Sequence, residues 1–263
     1  MNTKQSQQAS LRVLSLAEVR RRFPAFASLY ARLLPTVPKH LVASSPSNFE
    51  VHTQRTFSYD GMKFSVPPTA HKPGFSSELL FNYLASLDLT GKTVVAMGVG
   101  CGVEAVIAAR RNAQRIVALD INPISIKSTK ENYASLVPKD TKRSRLIAVR
   151  SDLFQKMPWG MKADVITFNP PAVYVNLSTD EDVIRNACIG TSILRDFFQQ
   201  IHDKKILAEK GQALLMLTTV TEIKKIVSFT LRLGFLPSII RESKDPGHHD
   251  DITRYLFSFT KKD

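Results

Sequence analysis

From residue 76 onward the chain alternates between extended and helical patterns, and this alternation constrains its fold more than any other feature. Short apolar, β-branched runs predict strands, and the stretches between them have the apolar spacing of helices. Predicted strands cover residues 93–98, 115–120, 145–151, 164–169, 212–219, 236–243 and 252–259, and predicted helices cover 76–89, 102–112, 123–136, 187–208 and 221–234. The pattern predicts an α/β fold with a doubly wound sheet of seven mostly parallel strands and an antiparallel last strand.

The first 70 residues follow a different pattern and are predicted to form a small cap in front of a main domain over 71–263. Residues 11–35 have helical apolar spacing, and Pro24 is expected to kink that helix or divide it. A Pro/Ser-rich passage follows. Residues 49–68 then alternate between apolar and polar side chains around Asp60-Gly61, which predicts a β-hairpin.

The bulk composition limits the class of protein. An apolar content of 43% suits a packed core and argues against wholesale disorder. No window offers the roughly 20 apolar residues of a spanning helix, and residues 1–23 lack the pattern of a signal peptide. Cys101 and Cys188 lie far apart without metal-ligand spacing. We therefore expect a cytoplasmic protein with reduced thiols and no membrane association.

The net charge of +13 is unevenly distributed along the chain. The first 160 residues hold 22 of the 36 lysines and arginines but 10 of the 23 acids, with basic runs at 20–22 and 139–145. Such asymmetry can mark a nucleic-acid-binding surface in the N-terminal part. A basic surface that is simply solvated remains the alternative.

A glycine-rich turn follows the first strand of the main domain. It reads Gly98-Val99-Gly100-Cys101-Gly102 and opens directly into a helix. Such a turn brings backbone N–H groups at a helix start close to a ligand. The spacing is G-x-G-x-G rather than the dinucleotide G-x-G-x-x-G, and a turn that serves only close packing remains the alternative.

Acids end the next two predicted strands. Asp120 lies eighteen residues past Gly102, where a carboxylate can accept both hydroxyls of a ribose, although capping of the next helix is also compatible. Asp152 follows the third strand and can accept a hydrogen bond from an adenine amino group, with Leu153 or Phe154 packed on the ring.

The stretch DVITFNPPAVY, residues 164–174, ends a strand on an amide and two prolines. Neither Pro170 nor Pro171 can donate to a strand ladder, so the strand ends at Asn169.

Together, VVAMGVGCGVEAVIAA, ALDINP, SDLF and FNPPAVY resemble the class I S-adenosylmethionine-dependent methyltransferases. They are similar in particular to the small-domain group with an Asn-Pro-Pro-aromatic motif, which includes release-factor glutamine methyltransferases and ribosomal and transfer RNA N-methyltransferases. The resemblance spans residues 67–259. It implies a Rossmann-like fold and S-adenosylmethionine as the cofactor.

The resemblance also implies roles for individual residues. The Asn169 side-chain oxygen and the Pro170 carbonyl accept hydrogen bonds from the planar amino group that is methylated, and Pro171 presets the backbone. No strong base is needed. The residues expected to bind the cofactor are Phe75, Gly98, Val99, Gly100, Gly102, Asp120, Ile121, Asp152, Leu153 and Asn169. Residues 71–77, which precede a helix expected to start at a serine cap, fold over the cofactor in related enzymes.

Two positions depart from the family pattern. The acid expected two residues before Gly98 is replaced by Ala96, and Glu104 is a candidate to substitute for it. The aromatic residue expected after the prolines is replaced by Ala172, so we expect Tyr174 to contribute to catalysis through substrate binding.

Several questions stay open at this level. The acceptor is RNA, a protein glutamine or a small metabolite, with residues 1–70 expected to recognise it. Alternatives are a non-catalytic cofactor-binding or RNA-binding subunit and a nicotinamide dehydrogenase. His248, His249, Asp250 and Asp251 are interpreted as polar turn residues, and no metal is assigned. The oligomeric state is not predicted.

Overall fold

The computed structural model of the protein describes residues 11–44, 50–138, 144–244 and 252–261. The strands are β1 (Arg55–Tyr59), β2 (Met62–Val66), β3 (Thr93–Met97), β4 (Arg115–Asp120), β5 (Arg145–Arg150), β6 (Ala163–Phe168), β7 (Leu207–Thr218), β8 (Phe235–Lys244) and β9 (Thr253–Lys261). The helices are α1 (Leu16–Arg22), α2 (Ala27–Arg32), α3 (Lys39–Ser44), α4 (Phe75–Ser86), α5 (Val103–Arg110), α6 (Pro123–Leu136), α7 (Glu181–Ala187), α8 (Thr191–Asp203) and α9 (Ile223–Arg232).

The main sheet has seven strands in the order β5-β4-β3-β6-β7-β9-β8. Neighbouring strands from β5 to β7 are parallel, and β9 is antiparallel to both β7 and β8. The predicted doubly wound, Rossmann-like fold is therefore confirmed. The order reverses between β3 and β6, so a crevice opens beyond the carboxyl ends of these two strands.

The described N-terminal residues join the core on both faces of this sheet. Leu14, Val19 and Tyr30 lie in the same buried cluster as α8 and α9, and the Tyr30 hydroxyl donates to the Leu14 carbonyl at 2.7 Å. The hairpin lies in the opposite cluster, where Phe57 packs edge-on against Phe81 of α4. A division of the chain at residue 70 stays a prediction.

Two local predictions for this region are confirmed. The predicted N-terminal helix is divided at Pro24, which begins a 3₁₀ turn between α1 and α2. The hairpin turns at Asp60 and Gly61, both with positive φ, as a two-residue turn requires. Helix α3 was not predicted, because it forms within the Pro/Ser-rich passage.

The single helix predicted over 187–208 is wrong. The chain forms α7 and α8 instead, and the break lies at residues 188–190. Gly190 adopts φ 78°, and the N–H groups of Ile189 and Gly190 donate to the Pro171 carbonyl at 2.8 and 3.2 Å. The helix ends here because its backbone donors are used to hold the segment after β6.

Among the described residues, no helix is long and apolar enough to cross a bilayer.

Candidate active site

A cavity of about 620 Å³ lies beyond the carboxyl ends of the central strands. This volume is within the range of sites that hold small molecules and cofactors. The predicted site residues that line it are Phe75, Gly98, Val99, Gly100, Asp120, Ile121, Asp152, Leu153, Asn169, Pro170 and Pro171. Gly102 and Tyr174 do not line it.

The glycine-rich turn brings bare backbone to the cavity wall. Gly98 adopts φ 60°, and a Cβ there would lie 3.1 Å from the Phe168 ring. Gly102 adopts φ 91° and packs on α6, where a Cβ would lie 3.0 Å from the Cα of Thr129. Gly102 therefore fixes the turn from behind rather than touching a ligand.

Asp120 ties this turn to the next one. Its Oδ2 accepts from the Gly100 N–H at 3.0 Å and its Oδ1 from the Asn122 N–H at 2.8 Å. Burial raises the pKa of Asp120, although these two donors oppose that effect. Carboxylate oxygens have further lone pairs, so Asp120 can also accept hydrogen bonds from ribose hydroxyls.

The end of β5 supplies a flat, partly apolar wall. Leu153 is buried at φ 45° and lines the cavity opposite the exposed side chain of Ile121. Asp152 is exposed at the same wall and accepts a hydrogen bond from Gln155. Phe154 instead packs on Phe197 in the core, so of the two predicted ring contacts the structure places only Leu153 at the cavity.

Glu104 is a buried carboxylate at the same end of the cavity, in the first turn of α5. Only 6% of its surface is exposed. Burial, with the negative charge of Asp120, raises the pKa of Glu104 to about 7.

At the other end of the cavity the amide of Asn169 is held in one orientation. Its Nδ2 donates to the buried Ser77 hydroxyl at 3.0 Å, which leaves Oδ1 as an acceptor. The Pro170 carbonyl accepts from the Ala172 N–H at 2.8 Å and keeps a second lone pair. Asn169 and Pro170 thus present two adjacent oxygen acceptors on the cavity wall.

Ala172 and Tyr174 face away from a bound ligand. Ala172 is 3% exposed and forms an antiparallel bridge with Cys188. The Tyr174 hydroxyl donates to the Val37 carbonyl at 2.6 Å, which links the segment after β6 to the N-terminal region. A contribution of Tyr174 to substrate binding stays a prediction.

Helix α4 supplies residues that the sequence did not identify. The predicted serine cap is wrong, because Gly74 is the N-cap and both serines lie inside the helix. Ser76 accepts from Arg254 Nε at 2.8 Å, and the Arg254 guanidinium lies 5.3 Å from the centre of the Phe75 ring. These partners are far apart in sequence, and no local pattern marks them.

Residues 67–74 are fixed beside the cavity through one carbonyl group. The Thr69 carbonyl accepts from the side chains of Asn122, Arg185 and Asn186 at 3.0 to 3.2 Å. His71 of this segment lines the cavity, and burial lowers its pKa to about 4, so its imidazole is neutral at physiological pH.

The predicted histidine and aspartate loop at 248–251 lies outside the described residues. Elsewhere, His52, Asp180 and Asp182 bring possible ligand atoms within 4.8 Å of one another. Asp180 also caps α7, and Asp182 forms an ion pair with Arg185. These side chains join the segment before the hairpin to α7.

Comparison with known proteins identifies the family. Residues 76–194 match the profile of the ribosomal protein L11 methyltransferases (PrmA). The chain is 31% identical over 194 residues to a putative protein N5-glutamine methyltransferase of Methanocaldococcus jannaschii, which covers 71% of this chain and 91% of that protein. The L11 methyltransferase of Vibrio vulnificus is 33% identical over 96 residues, 36% of this chain and 30% of that protein.

Solved structures agree on the fold. The ribosomal protein L11 methylase of Lactobacillus delbrueckii subsp. bulgaricus superimposes with a TM-score of 0.51 at 19% identity, covering 75% of this chain and 84% of that chain. S-Adenosylmethionine fits the cavity, because the bare glycine turn, the Asp120 carboxylate and the wall at Leu153 suit an adenosyl group. The chain belongs to the class I S-adenosylmethionine-dependent methyltransferases.

Proposed function

We propose that this enzyme methylates a planar nitrogen, the side-chain amide of a glutamine residue in a protein. The observation that carries the proposal is the fixed amide of Asn169. Because Ser77 takes its Nδ2, the Asn169 Oδ1 and the Pro170 carbonyl form a pair of acceptors that matches the two N–H groups of a primary amide.

The chemistry asked of these residues is orientation rather than proton abstraction. The bound cofactor supplies an electrophilic methyl group on a positively charged sulfur. Asn169 and Pro170 hold the acceptor N–H groups so that the nitrogen faces that methyl group, which supplies proximity and alignment. Hydrogen bonds to both N–H groups also stabilise the positive charge that develops as the N–C bond forms. The proton is then lost to solvent.

A glutamine amide is favoured over a nucleobase by the residue after the prolines. Nucleobases are generally held by stacking on aromatic or arginine side chains. Position 172 carries a buried alanine, which offers no such surface. The relative from M. jannaschii, which is named as a putative protein N5-glutamine methyltransferase, supports the same acceptor.

A nucleic-acid acceptor is the second candidate, because the net charge is +13 and its excess lies in the first 160 residues. We further propose that the N-terminal region contributes to acceptor recognition. The Val37 N–H donates to the Thr219 carbonyl at 2.8 Å, beside Thr218 and Val220, which line the cavity. A cytoplasmic location is part of the proposal and is supported by free Cys101 and Cys188.

Methyl transfer from radiolabelled cofactor tests the acceptor. The enzyme is incubated with an extract of cells from which its gene has been deleted, and the products are treated with protease or ribonuclease. We expect protease-sensitive label that hydrolysis releases as methylamine, since hydrolysis of an N-methyl amide breaks the bond between carbonyl and nitrogen. The Asn169→Ala variant is the control. Ribonuclease-sensitive label, or label confined to small molecules, would contradict the proposal.

A further inference from the structure

Glu104 is a buried acid for which the described part of the chain provides no cationic partner. Its side chain lines the cavity from the first turn of α5. No lysine, arginine or histidine of the described residues forms an ion pair with it, and no side chain there hydrogen-bonds to it. A buried carboxylate is stable in its charged form only beside a cation or several donors.

The contrast with Asp120 shows how unusual this is. Asp120 lies on the same wall, yet its two oxygens accept from the backbone N–H groups of Gly100 and Asn122. The charge of Asp120 also acts on Glu104 unfavourably and helps to raise its pKa. The cofactor end of the cavity therefore carries two acids and compensates only one of them.

Position 96, where the family pattern has an acid, cannot supply this compensation or compete for the same ligand. Ala96 is fully buried in β3, between Ala118 of β4 and Thr167 of β6. Glu104 lies eight residues further along the chain, on the helix that follows the glycine turn. The carboxylate nearest to the turn is thus delivered by the helix rather than by the strand.

We infer that Glu104 binds the α-ammonium group of the methionine part of S-adenosylmethionine. The inference depends on the cofactor and is independent of the acceptor. The cofactor carries two positive groups, the ammonium and the sulfonium. An ammonium group has three N–H donors that can satisfy carboxylate oxygens, whereas a sulfonium has none. The sulfonium methyl group must also face Asn169, at the other end of the cavity.

Three ligands separate the possible contacts. S-Adenosylmethionine has both positive groups, S-adenosylhomocysteine keeps only the ammonium, and 5′-methylthioadenosine has neither. Calorimetric titration of the Glu104→Gln variant is expected to show about 10- to 100-fold weaker binding of the first two, the range for a charge-assisted hydrogen bond. Binding of 5′-methylthioadenosine is expected to stay within about twofold of wild type. Glu78→Gln, in the first turn of α4 and outside the cavity, is the matched control.

Each other outcome overturns the inference. Equal weakening of all three ligands would mean that the variant deforms the cavity. Weakening of S-adenosylmethionine alone would assign Glu104 to the sulfonium, and unchanged binding would leave Glu104 without a ligand. If the glutamine variant does not fold, Glu104→Asp is titrated in its place, with the same ligand pattern expected. Failure of wild type to bind any of the three would instead contradict the cofactor assignment.

Discussion

The two ends of the cavity are built by different means. At the cofactor end, the contacts join segments that follow one another along the chain, from the glycine turn to Asp120 and Leu153, and most of them use the backbone. At the acceptor end, side chains are joined over long separations, as in Ser77 with Asn169 and Ser76 with Arg254. A backbone site fixes one ligand shape, whereas single side-chain contacts can be exchanged. The cofactor is therefore fixed by the fold, and the acceptor by a few residues.

The largest effect is expected at the acceptor end, from Asn169→Ala. Loss of the fixed oxygen acceptor removes an interaction that strengthens as the N–C bond forms, so the turnover rate should fall about 10²- to 10³-fold. Single-turnover transfer of labelled methyl groups measures it. A fall of less than about threefold would contradict the role of Asn169, since that is below the effect of a single hydrogen bond.

A backbone test of the cofactor end is Gly102→Ala. The side chain would meet Thr129 and adopt φ 91°, so we expect the free energy of unfolding to fall by about 2–4 kcal/mol. Gly160→Ala is the matched control, because Gly160 has φ 72° with nothing within 4 Å, and its expected cost is about 1 kcal/mol. Urea unfolding curves compare the two. Equal losses would mean that the packing of Gly102 on α6 is unimportant.

Glu104 should make the stability of the ligand-free protein fall as pH rises. Its pKa is about 7 in the folded protein and 4.5 ordinarily. Between these values the folded state keeps a proton that the unfolded state has lost, so stability declines from about pH 4.5 through pH 7. The melting temperature of Glu104→Gln should therefore exceed that of wild type at pH 8, with a smaller difference at pH 5. Asp120 and Cys101 titrate alike in both proteins. A difference that does not change with pH would refute this.

Ser77→Ala sharpens the account of the acceptor end. Without the hydroxyl, the Asn169 amide can turn over, and we expect turnover to fall about tenfold, the value of one neutral hydrogen bond. Ser86→Ala, at the far end of the same helix, controls for general effects on α4. If both variants keep wild-type turnover, the orientation of Asn169 does not depend on Ser77.

The smallest effect is expected from Tyr174→Phe. The lost hydrogen bond to Val37 should cost about 1 kcal/mol of stability, with KM for the acceptor within about twofold of wild type. Denaturant unfolding and steady-state kinetics measure the two quantities. A raised KM at unchanged stability would support the predicted substrate contact instead.

The sequence predicts the cofactor end of the cavity better than the acceptor end, for a physical reason. Strands, the glycine turn and the acids at strand ends leave local patterns, and β4 and α6 have the predicted boundaries. The role of Ser77 leaves no such pattern, because a serine at a helix start is typical of a cap. The break between α7 and α8 was missed for the same reason, since it depends on the distant Pro171 carbonyl.

The most direct test of the central claim, that the two ends act separately, is a titration of Asn169→Ala and Asp120→Asn with S-adenosylhomocysteine. We predict that Asn169→Ala binds within about threefold of wild type, while Asp120→Asn binds at least about tenfold more weakly, because it loses charge-assisted hydrogen bonds. If both variants lose affinity to the same degree, the cavity acts as one unit and the account is wrong.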